Sequence, residues 1–534
     1  MKYLIQPLIS SPGFQRDGTP YDSKSYIAGQ WCRFYKGRPR KMNGYRLMDA
    51  GQSNSTYNEQ PISGIVNSMF SVAKPGNLVD LYLGRANSLS VFTINNQGFG
   101  DAEITRTPST LTIDPNNKWS MDLFTTQVEG VVESYITAHC APNNLGIANT
   151  INGTVFYGSS TNLNVLQPVT DVNEQNPSHV VQVSGGIVFV SPFLLACGND
   201  GVVYWSNEGD VTTWDTSKNF LVVGNTKIVK GMPARSGTNI TRGGSSPAVL
   251  LWSLNSLIRL TYTIVNDVET FGYETIQSDI SILAPNSVVQ YNQMFFWIGA
   301  NQFFYFNGIV NKLDNTMCSD YFFNNLNYDQ AAKIFGIVNP RYDEIWWFYP
   351  KGDSLECNAA VIFNVKDQIW YDTDINRASG IIPDTFSRPV LADSATVSTP
   401  TPISITQTYP IWLHETGLDK VINRKNYAIE SWFQTHLIDL FSNDPQNTNM
   451  IYTRRIQPDF IQNGQMDVIV STQNYPAETP VQQGPFPFQN NTPFVDNINA
   501  QGSIVNFIFR SNVQGGYYQM GKTLMNYTIG NEIK

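Results

Sequence analysis

The chain has 534 residues, more than a single hydrophobic core usually serves, so we expect several domains or one repeat-built domain with additions. An apolar fraction of 41% excludes wholesale disorder. The formal net charge of −9 argues against a protein whose whole surface grips nucleic acid, because that attraction needs a basic footprint. Charged residues make up only 14% and aromatic residues 13%, a balance that favours an all-β fold.

The first 60 residues are rich in Gly, Pro and Tyr and show little periodicity, which predicts an extended N-terminal arm. Residues 31–41 place five basic side chains among aromatic residues and a proline. Such a mixture can bind single-stranded nucleic acid, dock against an acidic partner, or be a solvated surface. In an acidic chain this local reversal of charge favours docking. The candidate docking residues are Trp31, Arg33, Phe34, Tyr35, Lys36, Arg38, Arg40 and Lys41.

One pattern recurs between residues 61 and 424: a short apolar strand, a tight turn with Gly or Asn, and a second apolar strand. The predicted hairpins begin at Leu81, Val155, Leu194, Leu250, Phe295 and Trp346, and a weaker one runs over residues 390–413. An asparagine lies in or just after the turn of the first five, at Asn87, Asn162, Asn199, Asn255 and Asn301. Asn and Gly tolerate the positive φ of tight hairpins, which gives this placement a mechanical reason.

The spacing and the strand chemistry of these hairpins predict a β-propeller. The five intervals between Leu81 and Trp346 average about 53 residues, near the ~40–50 of propeller blades. Several strands are continuously apolar, at residues 187–190, 249–252, 294–297 and 345–348, which is typical of strands covered on both faces. We therefore predict about six to seven irregular blades, with a series of apolar β-sandwiches as the alternative.

Beyond residue 424 the pattern changes to longer predicted strands, at 428–440, 451–460, 466–472, 503–511 and 520–529, with a loop at 482–488. This pattern predicts a C-terminal β-sandwich. The predicted domains are thus an arm at 1–60, a propeller at 61–424 and a sandwich at 425–534.

Residues 516–523 match the phosphate-loop pattern GxxxxGK[ST]. A phosphate loop works because it joins a strand to a helix N-terminus that holds the phosphates. The residues after Thr523 are strand-like instead, so we predict the edge of a hairpin rather than a nucleotide site.

The remaining chemistry-bearing residues form no catalytic or metal-binding pattern. The five cysteines (Cys32, Cys140, Cys197, Cys318 and Cys357) never form CxxC, which predicts buried free thiols. The four histidines (His139, His179, His414 and His436) lie at no metal-ligand spacing. We predict no catalytic residue, no cofactor, no metal site and no enzymatic activity.

The sequence also predicts neither export by a standard signal nor a membrane anchor. The N-terminus makes a poor signal peptide, because its apolar stretch is cut short by Gln6 and Pro7. The most apolar stretch, residues 185–197, is too short to span a bilayer.

The order of several short segments along the chain carries a resemblance to a known family. They are GQWCRFYKG (29–37), KMNGY (41–45), DGVVYWS (200–206), TWD (213–215), FFWIG (295–299), FFYFNG (303–308), SDYFF (319–323), DEIWWF (343–348) and QIWYD (368–372). In this order, over about residues 25–420, the chain resembles the tail nozzle or tail hub proteins of short-tailed bacteriophages, also called packaged-DNA stabilisation proteins.

The resemblance implies a structural virion protein of the phage tail, assembled in the host cytoplasm. It would form a homo-oligomeric ring, six copies in related phages, that prolongs the portal and the head-to-tail adaptor. The ring would retain the packaged genome, pass double-stranded DNA without reading its sequence, and carry tail fibres or spikes. The family supplies no catalytic residues. The alternative is a propeller on a tail fibre that binds or cleaves carbohydrate, with residues 342–349 stacking on sugars, and a secreted surface protein is a third possibility.

Overall fold

The computed structural model describes residues 4–50, 62–95, 99–100, 102–114, 117–142, 151–173, 183–234, 248–265, 268–385, 388–395, 408–422, 424–440 and 449–532. The regular secondary structure of these residues is almost entirely β-strand, which confirms the predicted all-β class. The helices among them are Ile151–Thr154 and Ser319–Asn325, with 3-10 turns at Pro285–Ser287 and Tyr328–Lys333. No helix in this part of the chain has the length and apolar character needed to cross a bilayer.

Seven predominantly antiparallel sheets follow one another along the chain and are numbered I to VII here. Sheet I contains Val66–Lys74, Leu78–Arg85 and Ser88–Asn95, with short strands at Phe99–Gly100, Ile104–Thr105 and Asp49–Ala50. Sheet II contains Asn117–Val128, Val131–Pro142, Val155–Ser159 and Gln167–Pro168. Sheet III contains Val183–Val190, Phe193–Gly198, Val202–Asn207 and Phe220–Val222, with Asp210–Trp214 and Thr170–Asp171 beside them.

The next three sheets are four-stranded meanders, and the seventh combines residues 379–427 with one strand from near the start of the chain. Sheet IV contains Ile228–Ala234, Ala248–Ser253, Ser256–Val265 and Val268–Ser278. Sheet V contains Val289–Tyr291, Met294–Ile298, Phe303–Phe306 and Val310–Leu313. Sheet VI contains Phe335–Asn339, Glu344–Tyr349, Ala359–Asn364 and Ile369–Asp374. Sheet VII contains, in spatial order, Ser379–Ile381, Val390–Ala392, Ile411–His414, Tyr45–Leu47, Lys420–Ile422 and Lys425–Tyr427.

Consecutive sheets pack face to face, and the series closes on itself. Separate apolar clusters join I to II, II to III, III to IV, IV to V, and V to VI. A further cluster joins VII back to I, where Leu413 and Val390 pack with Leu81 and Leu83. The first strands of VII and I are also in contact. Strands such as Ala248–Ser253 and Glu344–Tyr349 are buried along their whole length, as their continuous apolar sequence predicts.

The remaining strands bring residues near the two ends of the chain into one unit, called the terminal unit here. It contains Leu4–Pro7, Ser11–Phe14, Ser25–Tyr26, Ala28–Gln30, Cys32–Tyr35, Arg38–Lys41, Ser431–Gln434, Ile438–Asp439, Asn449–Gln457, Phe460–Asn463, Met466–Gln473, Val481–Phe488, Ala500–Gly502, Ile504–Ser511, Tyr517–Met520 and Leu524–Glu532. Its core contains Phe14 and Phe34 together with Phe433 and Phe509. Residues 4–41, predicted as part of an extended arm, are therefore short strands paired mostly within this unit. A last small pair joins Ile62–Ser63 to Thr408–Tyr409.

Most predicted hairpins are confirmed, and three local predictions are wrong. After Val155–Ser159 the partner strand begins only at Gln167, so residues 163–166 are not the second strand. None of the five turn asparagines has positive φ. Asn255 instead accepts side-chain hydrogen bonds from Thr226 and Ser253.

The third correction concerns residues 482–488, predicted as a loop. They belong to the strand Val481–Phe488, which lies at the edge of its sheet and pairs with Met466–Gln473. An edge strand tolerates proline because its outward N–H groups need no partner in the sheet.

Candidate functional site

The junction between sheets VI and VII differs from the other six because an N-terminal segment lies in it. Trp31 packs against Trp346 of sheet VI, with ring centroids 6.5 Å apart, and against His414 of sheet VII at 6.2 Å. Its backbone N–H donates to Thr373 Oγ1 of sheet VI. A few residues later, Tyr45–Leu47 pairs with Ile411–His414 as an inner strand of sheet VII. The segment thus fastens the last two sheets together.

A buried charge cluster occupies this junction, formed by Arg33, Glu344 and Glu415 from three separate parts of the chain. Arg33 Nε lies 2.9 Å from Glu344 Oε1, and Arg33 Nη2 lies 2.6 Å from Glu415 Oε1. The side chains of Arg33 and Glu344 are 1% and 0% exposed. The guanidinium also lies 3.6 Å from the ring centroid of Tyr342. Every charged group in the cluster therefore has a close partner, which a buried ion needs in order to be tolerated.

Neutral donors complete the coordination of the two carboxylates. Glu344 accepts hydrogen bonds from Tyr371 Oη at 2.6 Å and from Trp346 Nε1 at 2.8 Å. Glu415 accepts from Asn339 Nδ2 at 3.0 Å and from Asn43 Nδ2 at 2.8 Å. The cluster therefore links the N-terminal segment to sheets VI and VII by charge-assisted hydrogen bonds.

The charges shift one another's protonation equilibria. Burial would lower the pKa of Arg33, but the carboxylates of Glu344 and Glu415 raise it well above its ordinary value. Burial raises the pKa of Glu344, and Arg33 opposes that rise. Arg33 is therefore a permanent cation that holds the two carboxylates together.

A second polar cluster at this junction contains Arg377, Asp393, Trp412 and His414. His414 Nε2 accepts hydrogen bonds from Arg377 Nε at 3.0 Å and from Arg377 Nη2 at 2.8 Å. Asp393 accepts from Trp412 Nε1 at 2.8 Å. Burial, followed by the charges of Arg377 and Arg33, holds the pKa of His414 well below its usual value. His414 is therefore a neutral acceptor, and its proton lies on Nδ1. A cavity of about 340 Å³, lined by residues that include Arg377 and Trp412, adjoins the cluster.

A larger cavity of about 600 Å³ opens at the same junction. Three arginines line it, each from a different element: Arg46, Arg341 and Arg388. Glu415 and Asn43 of the buried charge cluster form part of its wall.

The predicted docking residues divide into two groups. Trp31, Arg33, Phe34 and Lys41 are buried in the chain's own core, so they have no surface to offer a partner in this conformation. Burial also lowers the pKa of Lys41 to about 8. The exposed and half-buried residues Tyr35, Lys36, Arg38 and Arg40 remain together on two paired strands. Arg40 lies 4.9 Å from the ring of Tyr35 and 5.3 Å from that of Tyr517, which makes a basic and aromatic patch.

The phosphate-loop match lies on strands, but the predicted hairpin is wrong. Tyr517–Met520 pairs with Phe460–Asn463 and Arg38–Lys41, whereas Leu524–Glu532 belongs to another sheet. The carboxylate of Asp459 accepts the backbone N–H of Lys522 at 2.5 Å, where a phosphate loop would hold an anion. Residues 342–349, which the carbohydrate alternative needs on the surface, are buried apart from Asp343.

The cysteines and histidines match their predicted environments where they are described. All five cysteines are buried free thiols, which confirms that prediction. His139 is buried, and burial lowers its pKa to about 4. His436 lies in the terminal unit, where its Nδ1 is 2.7 Å from Ser10 Oγ. His179 lies outside the described residues. Over the described ranges, no group of three His, Cys, Asp or Glu side chains is placed to hold a metal ion.

Sequence reasoning missed the junction itself. Arg33 was identified only as a docking residue, and neither Glu344 nor Glu415 was singled out. The one available signal was a basic residue within an apolar, aromatic stretch, which is unusual for a solvated arm.

Comparison with known proteins does not assign this chain to a family. No family model matches the chain, and no curated protein does. Among solved structures, a chain of "Crystal Structure of Mitotic Checkpoint Complex" is 11% identical with a TM-score of 0.36, over 69% of this chain and 98% of that one. A putative 6-phosphogluconolactonase from Bacteroides uniformis is 10% identical with a TM-score of 0.34, over 61% of this chain and 92% of that one. At these values the likeness supports no conclusion about function.

Proposed function

We propose that this chain is a structural virion protein, one subunit of a ring-forming tail nozzle of a short-tailed bacteriophage. The observation that carries the proposal is the closed series of seven sheets, fastened by a segment from the start of the chain. The segments that carry the family resemblance lie in residues 29–45, in sheets III, V and VI, and in the helix Ser319–Asn325. A closed series of sheets that is fastened by a distant segment of the chain suits a subunit that must withstand the pressure of packaged DNA.

The finer architecture belongs to this proposal. Sheets I to VII are the seven blades of a β-propeller, and the C-terminal strands form a β-sandwich completed by residues 4–41. The first strands of neighbouring sheets are in contact at most junctions, so the middle of one chain has room for side chains rather than for a duplex. DNA would therefore pass through the hole enclosed by several copies, six as the resemblance implies, and not through the propeller of one chain.

The basic and aromatic patch supplies a docking surface for a neighbouring subunit or for the head-to-tail adaptor. It contains Tyr35, Lys36, Arg38, Arg40 and Tyr517. The chain has a net charge of −9, so the overall charge of a second copy is opposite in sign to that of this patch. Fibres or spikes would attach elsewhere on the ring.

Particles assembled without this chain test the proposal. We expect heads that package DNA but leave it open to nuclease, with normal retention restored when the purified chain is added back. Particles that retain and eject their genome equally well without the chain would contradict the proposal.

A further inference from the structure

The arginine-lined cavity at the junction of sheets VI and VII has the features of a binding site. It measures about 600 Å³, and Arg46, Arg341 and Arg388 all line it. Arg46 belongs to the inserted strand Tyr45–Leu47. Arg341 lies in the turn between the first two strands of sheet VI, and Arg388 lies two residues before the strand Val390–Ala392 of sheet VII. Three elements distant in sequence thus bring positive charge to one concave surface.

Two of these guanidinium groups are available to a ligand. Arg341 and Arg388 are exposed, and within the described ranges neither makes a hydrogen bond or an ion pair, although Arg341 lies 5.3 Å from the ring of Tyr342. The nearby carboxylate of Glu415 makes no ion pair with either of them, because its oxygens bind Arg33, Asn43 and Asn339. The cavity therefore presents two guanidinium groups that can still pair with a ligand's carboxylates.

We propose that this cavity binds an acidic peptide segment of a partner protein, with Arg341 and Arg388 pairing with its side-chain carboxylates. A planar guanidinium matches a carboxylate in a two-point hydrogen bond. The proposal goes beyond a ring of subunits and does not depend on it.

A peptide fits this cavity better than nucleic acid does. The site is concave, whereas a duplex is a rigid rod that contacts broad basic surfaces. A flexible chain with spaced carboxylates can place single charges against single arginines.

A binding titration with fluorescently labelled hexaglutamate tests the proposal. We expect binding by the full-length protein that weakens with added salt, since salt screens such pairs. The double variant Arg341→Gln and Arg388→Gln should weaken binding about tenfold or more, equivalent to at least about 1.4 kcal/mol. The double variant Arg259→Gln and Arg454→Gln removes the same charge from surfaces outside the cavity and should leave binding nearly unchanged.

Further measurements separate the alternatives. The variant Arg341→Lys with Arg388→Lys keeps the charge but loses the two-point geometry, so it should give an intermediate affinity, and it substitutes for the glutamine variant if that one does not fold. Equal loss of hexaglutamate binding in the control variant would overturn the proposal, because it would show a nonspecific charge effect. Binding of duplex DNA or inorganic phosphate that depends on Arg341 and Arg388, while hexaglutamate binding does not, would also overturn it.

Discussion

The junction between sheets VI and VII contains apolar residues such as Trp346 and Leu391, as the six other junctions do, but it also holds a segment from the start of the chain. Those six are closed by apolar clusters, such as the one in which Trp252 and Trp297 pack between sheets IV and V. At the seventh, a segment from the start of the chain enters with a buried arginine and meets two carboxylates. An apolar contact is favourable against almost any apolar surface, whereas a buried charge is tolerated only in one arrangement. We infer that apolar packing stabilises all seven junctions and that the charge cluster fixes which segment closes the series.

Replacing Arg33, the cation of the buried charge cluster, should have the largest effect on stability. Arg33→Met leaves Glu344 and Glu415 buried without a counter-charge, so we expect a loss of roughly 3–5 kcal/mol in the free energy of unfolding. Denaturant unfolding measures the loss. A triple variant that also carries Glu344→Met and Glu415→Leu should recover part of it, since no unpaired charge then remains, although donors such as Tyr371 and Asn339 lose their acceptors. A single variant as stable as the wild type would contradict the account of this junction.

Truncating a buried side chain at an apolar junction provides the comparison with Arg33→Met. Leu251 is fully buried in the cluster between sheets III and IV, and Leu251→Ala should cost about 2–5 kcal/mol through lost burial and a cavity. Its cost should be the same at low and high pH, because no titratable group is involved. A cost that changed strongly with pH would show that the apolar junctions are not independent of the charged one.

The histidine at the charged junction gives a pH dependence that can be isolated. Because the pKa of His414 is lowered in the folded chain, the unfolded chain takes up a proton below about pH 6.5 while the folded chain does not. Stability therefore falls as the pH falls below that value, by about 1.4 kcal/mol per pH unit for this group. His139 adds a similar slope that ends near pH 4, where its own pKa lies.

In His414→Gln the amide oxygen can still accept from Arg377, so we expect the slope between pH 6.5 and 5 to decrease without a large loss of stability at pH 8. Thermal unfolding of both proteins across this range checks it. Identical slopes would mean that His414 is not a neutral acceptor in the folded chain.

An exposed ion pair should contribute least to the free energy of unfolding. Arg259 and Glu274 lie 2.7 Å apart in sheet IV, with side chains 36% and 61% exposed. Arg259→Gln should change the free energy of unfolding by about 0.2–1 kcal/mol, because water and salt screen such pairs. A loss as large as that of Arg33→Met would show that ion-pair burial is not what distinguishes the charged junction.

Local features of this fold could be predicted from sequence, and long-range ones could not. The hairpin from Leu250 joins neighbouring strands through a short turn, so its apolar runs and turn residues were enough to predict it. Arg33 lies 311 residues from Glu344 and 382 from Glu415 in sequence, and no local pattern indicates such a meeting. The pairing of the strand Tyr45–Leu47 could likewise not be predicted, because its partner strands follow it by more than 360 residues. The patch around Tyr35 and Arg40 was found because its basic and aromatic residues are contiguous.

The most direct test of the central claim is electron microscopy of the purified full-length chain, alone and mixed with the head-to-tail adaptor. The account predicts rings of several copies around a central hole wide enough for a DNA duplex, in at least the mixed sample. The double variant Lys36→Glu and Arg40→Glu should form fewer rings, because it reverses the charge of the proposed docking patch. Single, unassociated particles in both samples would contradict the account.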